Sequence, residues 1–234
     1  MRLVRLCGIT AAPVSLVRAA GKDVLLVERF DRVRAQDGWY RKPMVSALTM
    51  LGLDEMIARY ASYQDLAEII CHRFTSPSET LRELFARIGF NILCGNSDDH
   101  ARNHAAFWDG NILTLTPAYD ICPQGRSGQE ATQAMLISGN NCMSRLASCL
   151  EGVHHFLLTE PEAIALADGP LNGIAANWLK ICEAAALTVA DRNRLWGRQF
   201  LNPYAFTALE GNAATLKRRA DDIRGGVAGR CRVV

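Results

Sequence analysis

The sequence has no run of about 18 apolar residues, so no helix that could cross a membrane is expected. Its N-terminus also lacks the apolar stretch and small-residue cleavage site of a secretory leader, which makes a cytoplasmic location without membrane attachment the expectation. Charge of one sign is missing too. Twenty-six Lys and Arg face 24 Asp and Glu for a net charge of +2, and so even a balance excludes direct nucleic-acid binding as the main role. The one basic run, Lys217-Arg218-Arg219, is followed by Asp221-Asp222 and reads as a solvated helix face. Eight cysteines (Cys7, Cys71, Cys94, Cys122, Cys142, Cys149, Cys182 and Cys231) are scattered, with no C-x-x-C pair and no short metal-ligand spacing. That excludes a zinc-ribbon or disulfide framework, and reduced, mostly buried thiols are expected. Internal repeats and low-complexity linkers are also missing.

What is present is an ordinary globular composition, 49% hydrophobic and 21% charged, sufficient for a sizeable core. Met1 to Gly8 reads as the last turns of a helix ending at glycine, so the chain reads as starting inside an element, as a truncated gene product would. Pro13 to Val17 and Val24 to Val27 are apolar and β-branched, with a turn through Gly21, Lys22 and Asp23, and predict a hairpin. Glu28 to Arg32 follows with dense charge. From about Ser46 the apolar spacing turns helical. Start signals stand at Ser62-x-x-Asp65, at Ser76-Pro77-Ser78-Glu79 as a capping box with proline at the first helical position, at Thr159-x-x-Glu162 and at Thr188-x-x-Asp191. The second of these predicts a helix through Leu81, Leu84, Phe85 and Ile88 to about Leu93. Ala105 to Trp108 and Ile112 to Thr116 predict a short hairpin stopped by Pro117. Phe156, Ile164, Trp178, Leu195 and Trp196 are core candidates, and the Gly- and Ala-rich end beyond Glu210 predicts one last helix and a tail.

The chemistry concentrates between Asn96 and Asp120. Phosphoryl transfer needs a carboxylate to accept the substrate hydroxyl proton, an Asn five positions on to hold magnesium, and a downstream Asp that also holds metal. Asp98, Asn103 and Asp120 have that order, with the predicted hairpin between the last two. Carboxylate and amide oxygens are the hard donors that magnesium takes. Competing readings exist for each group. Asp98 and Asp99 could be turn or cap carboxylates. His100 and His104, four apart, could be a zinc pair, yet the Glu of H-E-x-x-H and a third ligand are missing. Cys94 and His100 could be a thiol-histidine pair, although Cys94 falls on the apolar end of a helix and reads as a structural thiol. Glu28 and Asp31 could be charges that protect a sheet edge.

Three ordered stretches, Val27-Glu28-Arg29-Phe30-Asp31-Arg32, Gly95 to His104 and Thr116-Pro117-Ala118-Tyr119-Asp120-Ile121, resemble the HipA family of serine/threonine kinases. The similarity continues through Asn177-Trp178 and Phe200 to Phe206. The resemblance implies an α+β, mainly α fold: a protein-kinase-like C-terminal lobe with a small N-terminal β-hairpin remnant. It divides the chain into an N-lobe remnant and hinge at 1–40, a helical kinase lobe at 41–209 and a C-terminal helix and tail at 210–234. It also implies ATP and Mg2+ as cofactors. By position, Asp98 is the implied catalytic base, Asn103 and Asp120 the metal ligands, and His100 a neighbour of the phosphates. The backbone at Glu28 and Phe30 is implied to meet the adenine, with Asp31 near the ribose. Members of the family are toxins of toxin–antitoxin modules that phosphorylate proteins, aminoacyl-tRNA synthetases among them, and are restrained by a small DNA-binding antitoxin. They also carry a flexible phosphate-covering loop and a strand lysine, neither of which is found in this sequence. Lys22 and Lys42 are the nearest lysines, and Gly225-Gly226-Val227-Ala228-Gly229 lies at the wrong end. The expectation is a kinase lobe that needs a separate N-lobe polypeptide, with a non-catalytic, protein-binding kinase lobe as the alternative.

Overall fold

The computed structural model describes residues 1–126 and 128–231. Its fold is α+β and dominated by helices, with a small β region at the N-terminal end. The first helix, α1 (Arg2–Leu6), stops at Cys7, and Gly8 reverses the chain at φ +82°. Strands β1 (Val14–Ala19) and β2 (Lys22–Val27) then pair antiparallel, Val14 opposite Val27 and Ala19 opposite Lys22. The turn is therefore Ala20-Gly21, tighter than expected, and Lys22 and Asp23 belong to the second strand. Both turn residues have positive φ, 48° and 76°, as a twist-matched two-residue hairpin requires.

A second hairpin, β3 (Arg32–Ala35) with β4 (Gly38–Arg41), was not expected. Its signal is Asp37-Gly38, a turn dipeptide followed by Trp39-Tyr40. Both hairpins are two-stranded ribbons that keep apolar side chains in solvent: Leu16 is 50% exposed, Leu25 54% and Trp39 68%. Ribbons of this kind are marginal alone. The third sheet is better seated. Its strands β5 (Met44–Ser46), β6 (Ala105–Trp108) and β7 (Leu113–Leu115) run antiparallel in that order.

The helical body consists of α2 (Ala47–Met50), α3 (Tyr63–Arg73), α4 (Pro77–Cys94), α5 (Leu146–Glu151), α6 (Glu160–Ala184), α7 (Val189–Leu195) and α8 (Ala214–Cys231). Residues 232–234, the end of the expected tail, lie outside the described residues. Helix α4 is central and packs on α3, α5 and α6. Its Leu81, Leu84, Phe85, Ile88 and Ile92 recur at helical spacing and are all buried, each contributing about 1.5–3 kcal/mol of apolar burial. Phe85 meets Phe156 edge to face at 5.3 Å. Trp178 of α6 stacks near Trp196 at 5.0 Å and Phe200 at 4.7 Å. Helix α1 is seated on α6 at Gly173, where a Cβ would fall 2.6 Å from Cys7 Sγ.

The caps follow the sequence at three of four starts. Ser62 Oγ accepts from Asp65 N–H at 3.0 Å and Thr188 Oγ1 from Asp191 N–H at 3.1 Å. The Glu162 carboxylate accepts from Thr159 N–H at 2.9 Å. The box expected at Ser76 does not form, because Ser76 sits at ψ 77° rather than in the extended conformation of the other caps, and Pro77 alone opens α4. The thiols also depart from expectation. Of the seven described cysteines only Cys94, Cys149 and Cys182 are buried, while Cys7, Cys71 and Cys142 are partly buried and Cys122 is exposed. Cys122 follows the exposed Asp120 on a loop rather than an apolar helix face.

Candidate active site

Helix α4 ends at Gly95, whose left-handed conformation turns the chain into the segment 96–104. The loop closes on itself. The Asp98 carbonyl accepts from His100 N–H at 3.0 Å and from Asn103 Nδ2 at 3.1 Å, and Asn103 N–H donates to the His100 carbonyl at 2.8 Å. Asp98 is exposed while Asn103 is buried. With its Nδ2 committed to Asp98, Asn103 keeps its Oδ1 as an oxygen donor of the kind magnesium takes.

After the β6–β7 hairpin, Pro117 delivers the chain to Tyr119 and Asp120. Asp120 adopts φ +56° and remains exposed. Left-handed backbone is tolerable for Asp. The two halves are linked directly, since Tyr119 Oη donates to the Arg102 carbonyl at 2.7 Å, one residue before Asn103. The approach to Asp120 is held from beneath by Arg87, a buried guanidinium that donates to the Thr116 carbonyl at 2.9 Å and the Thr10 carbonyl at 3.2 Å and pairs with Glu83. Ala118 N–H to Thr10 O and Ala12 N–H to Ala118 O, both 2.9 Å, fasten the same segment to the chain entering β1.

Beneath the loop lies a cluster that the sequence did not reveal. Asp99, buried, accepts from Tyr63 Oη and from Asn91 Nδ2 at 2.6 Å, and its other oxygen lies 3.1 Å from His104 Nε2. Burial pushes the Asp99 carboxyl up, but His104, Tyr63 and Asn91 outweigh it and hold the group below the ordinary carboxylate value. Burial, with the Asp99 charge, raises the Tyr63 phenol well above its usual range, so it stays a donor. His104 therefore faces Asp99 rather than forming a zinc pair with His100. Asn91, a lone amide in the apolar run Phe90-Asn91-Ile92-Leu93, was the one local signal. Cys94 is buried in the core and its thiol is pushed up to about 12, chiefly by burial.

A cavity of about 700 Å³ opens beside Asp120, walled by Leu16, Leu25 and Val27 of the first hairpin, Tyr119, and Ile181 of α6. Asp120 is the one candidate residue that lines it. Phe30 lies next to this wall, its ring 5.6 Å from Tyr119 and 6.0 Å from Phe107. Glu28 is exposed and its N–H donates to the Pro13 carbonyl at 2.9 Å. The Asp31 carboxylate is buried and gripped by Arg29 at 2.7 and 2.6 Å, a contact that lowers its pKa. His100 Nδ1 is buried without a hydrogen-bond partner among the described residues. Lys42 Nζ sits 4.8 Å over the Phe107 ring. Among the described residues no three His, Cys, Asp or Glu side chains gather as a metal site. A magnesium ion held by one carboxylate, one amide and substrate phosphates does not need such a cluster.

Known proteins resemble this chain in fold and in sequence. The solved Shewanella oneidensis HipA, from a toxin–antitoxin complex with HipB and operator DNA, superposes with a TM-score of 0.67 at 18% identity, covering 99% of this chain and 53% of that one. A candidate kinase of Sinorhizobium fredii, Y4mE, is 31% identical over 127 residues, which is 52% of this chain and 30% of the relative. The Shewanella oneidensis serine/threonine-protein kinase toxin HipA is 25% identical over 137 residues, 52% of this chain and 32% of the relative. These matches span about a third of each curated relative. The chain resembles HipA-type kinases at the level of the family. The model of the HipA-like C-terminal domain matches residues 1–202, and the chain belongs to that family.

Proposed function

We propose that this chain carries the phosphoryl-transfer site of a serine/threonine protein kinase, the cytoplasmic toxin of a toxin–antitoxin module. The observation that supports it is the closed 98–103 loop, with Asp98 in solvent, the Asn103 amide anchored on the Asp98 carbonyl, and Asp120 tied to the loop through Tyr119 Oη. Asn103 and Asp120 would hold magnesium, which neutralises charge on the ATP phosphates. Asp98 accepts the proton of a substrate Ser or Thr hydroxyl. The hydroxyl oxygen forms the new bond to the γ-phosphorus as the bond to the β–γ bridging oxygen breaks, and ADP leaves. His100, with its unpartnered Nδ1, stands where a phosphate acceptor would satisfy it. The apolar cavity next to Asp120 has the volume and lining suited to a purine. Its wall at Val27 leads directly to the proposed adenine and ribose contacts at Glu28, Phe30 and Asp31.

The half-exposed faces of β1 and β2 favour a further lobe seated over them, and a separate N-lobe polypeptide is the partner proposed for full activity. A small DNA-binding antitoxin is the proposed restraint, and a protein such as an aminoacyl-tRNA synthetase the proposed substrate. The test is calorimetry of Mg-ATP with the purified chain, followed by transfer of labelled γ-phosphate to protein. Binding that is weakened by Asp120→Asn, with transfer reduced about 10²–10⁴-fold by Asp98→Asn, supports the reading. No binding at millimolar nucleotide overturns the reading and leaves the non-catalytic protein-binding lobe, and transfer that survives Asp98→Asn overturns the role of Asp98 as the base.

A further inference from the structure

Asp98 and Asp99 are neighbours with opposite fates: the first is exposed and the second buried. An interior carboxylate is expensive to desolvate, and a site that needed only packing would be served as well by an apolar side chain. Asp99 is instead the meeting point of three elements. Tyr63 reaches it from the first residue of α3, Asn91 from the last turn of α4, and His104 from the residue that enters β6.

The partners are themselves fixed. Asn91 Oδ1 accepts from Asn96 Nδ2 at 3.1 Å, and the Asn91 carbonyl accepts from Asn96 N–H at 2.8 Å, which orients the Asn91 amide nitrogen toward Asp99. The His104 carbonyl accepts from Ala47 N–H at 2.7 Å and pins the far end of the loop to α2. Asp99 stands next to the proposed base and His104 next to the proposed metal ligand, so their contact clasps the loop across both ends.

We infer that Asp99 is a positioning residue whose buried carboxylate, bonded by Tyr63 and Asn91 and paired with His104, sets the separation and orientation of Asp98 and Asn103. The inference rests on the kinase reading of that loop. Groups that orient a ligand from behind commonly carry about 10- to 100-fold in metal affinity when lost.

The test compares Asp99→Asn and Tyr63→Phe with the unaltered full chain. Two readouts are used: hydrogen exchange at the loop amides, His100 and Asn103 above all, and the Kd for Mg-ATP by calorimetry. Tyr63→Phe removes one donor at nearly constant volume and keeps the test open should Asp99→Asn fail to fold. The expected result is roughly tenfold or faster exchange confined to 96–104, with Mg-ATP affinity weakened about 10- to 100-fold in Asp99→Asn and less in Tyr63→Phe. Glu55→Gln, which breaks an exposed ion pair to Arg102 of the same loop, should change neither readout. Unchanged loop protection and affinity in the variants overturn the inference, as does faster exchange spread evenly over the body. Failure of the unaltered chain to bind Mg-ATP overturns the kinase reading and the positioning role together. An unmoved loop with intact Mg-ATP binding overturns the anchor alone.

Discussion

Gly95 is the residue at which the helical body hands the chain to the site, and its replacement by alanine should be among the more damaging single-methyl changes in the protein. At φ +73° and ψ 25° an alanine is held in left-handed backbone, a cost of about 1–2 kcal/mol. The added Cβ would also lie 2.8 Å from the Gln199 carbonyl oxygen and 3.2 Å from its Cα and carbonyl carbon. These are backbone atoms with little freedom. Gln199 N–H is bonded to Leu195 O at 3.0 Å, and Leu201 N–H, two residues on, to Leu93 O at 2.7 Å. Overpacking of this kind adds about 1–3 kcal/mol, for a total of about 2–5 kcal/mol. Gly8→Ala is the internal comparison. Gly8 has φ +82° and a Cβ there would meet nothing within 4 Å, so only the conformational part applies. With about 2–4 °C of Tm per kcal/mol in a chain of this size, Gly95→Ala should melt about 4–20 °C lower than the unaltered protein and Gly8→Ala about 2–8 °C lower. Urea unfolding followed by circular dichroism gives the free energies directly, provided the m-values agree. Equal loss in the two variants, within about 0.5 kcal/mol, would refute the contact argument.

Two further outcomes follow from the helical body. Trp178→Ala empties a buried site against Trp196 and Phe200 and should destabilise by about 3–5 kcal/mol, with loss of the near-ultraviolet dichroism of that cluster. Glu162, at the start of α6, has its pKa lowered from 4.5 to about 2, first by the Thr159 N–H, then by the Thr159 hydroxyl and Arg82. A depressed carboxylate contributes its stability above the unfolded value and loses it as pH falls through the folded one. The stability difference between the unaltered protein and Glu162→Gln should therefore shrink as pH drops from 4.5 towards 2, and a difference constant over that window would contradict the assignment.

The features legible in the sequence were those written in neighbouring residues. Ser62 and Asp65, Thr188 and Asp191, and Thr159 and Glu162 interact within one turn, so spacing alone announces them. The Asp98-x-x-x-x-Asn103 loop is likewise local, its closing hydrogen bond spanning five positions. The exceptions are instructive. Ser76 carries a capping signal but lies in a backbone conformation that denies it the bond. Asp37-Gly38 marked a second hairpin that the charged residues before it obscured. Cys122 is exposed through its place beside Asp120 on a loop, which composition does not encode.

Sequence by itself determined the first hairpin, three of the helix caps and the loop that bears Asp98 and Asn103, because each depends on contacts a few residues apart, and its ordered motifs carried the family to which the chain belongs. Tertiary structure alone decided the rest. Tyr63 lies 36 residues from Asp99, Arg87 lies 29 from Thr116, and Tyr119 lies 17 from Arg102. Bonds across such separations require the packing of α3, α4 and the β6–β7 hairpin before their partners can meet. A buried carboxylate and an exposed one read alike as consecutive aspartates, and only the fold decides which of them faces water.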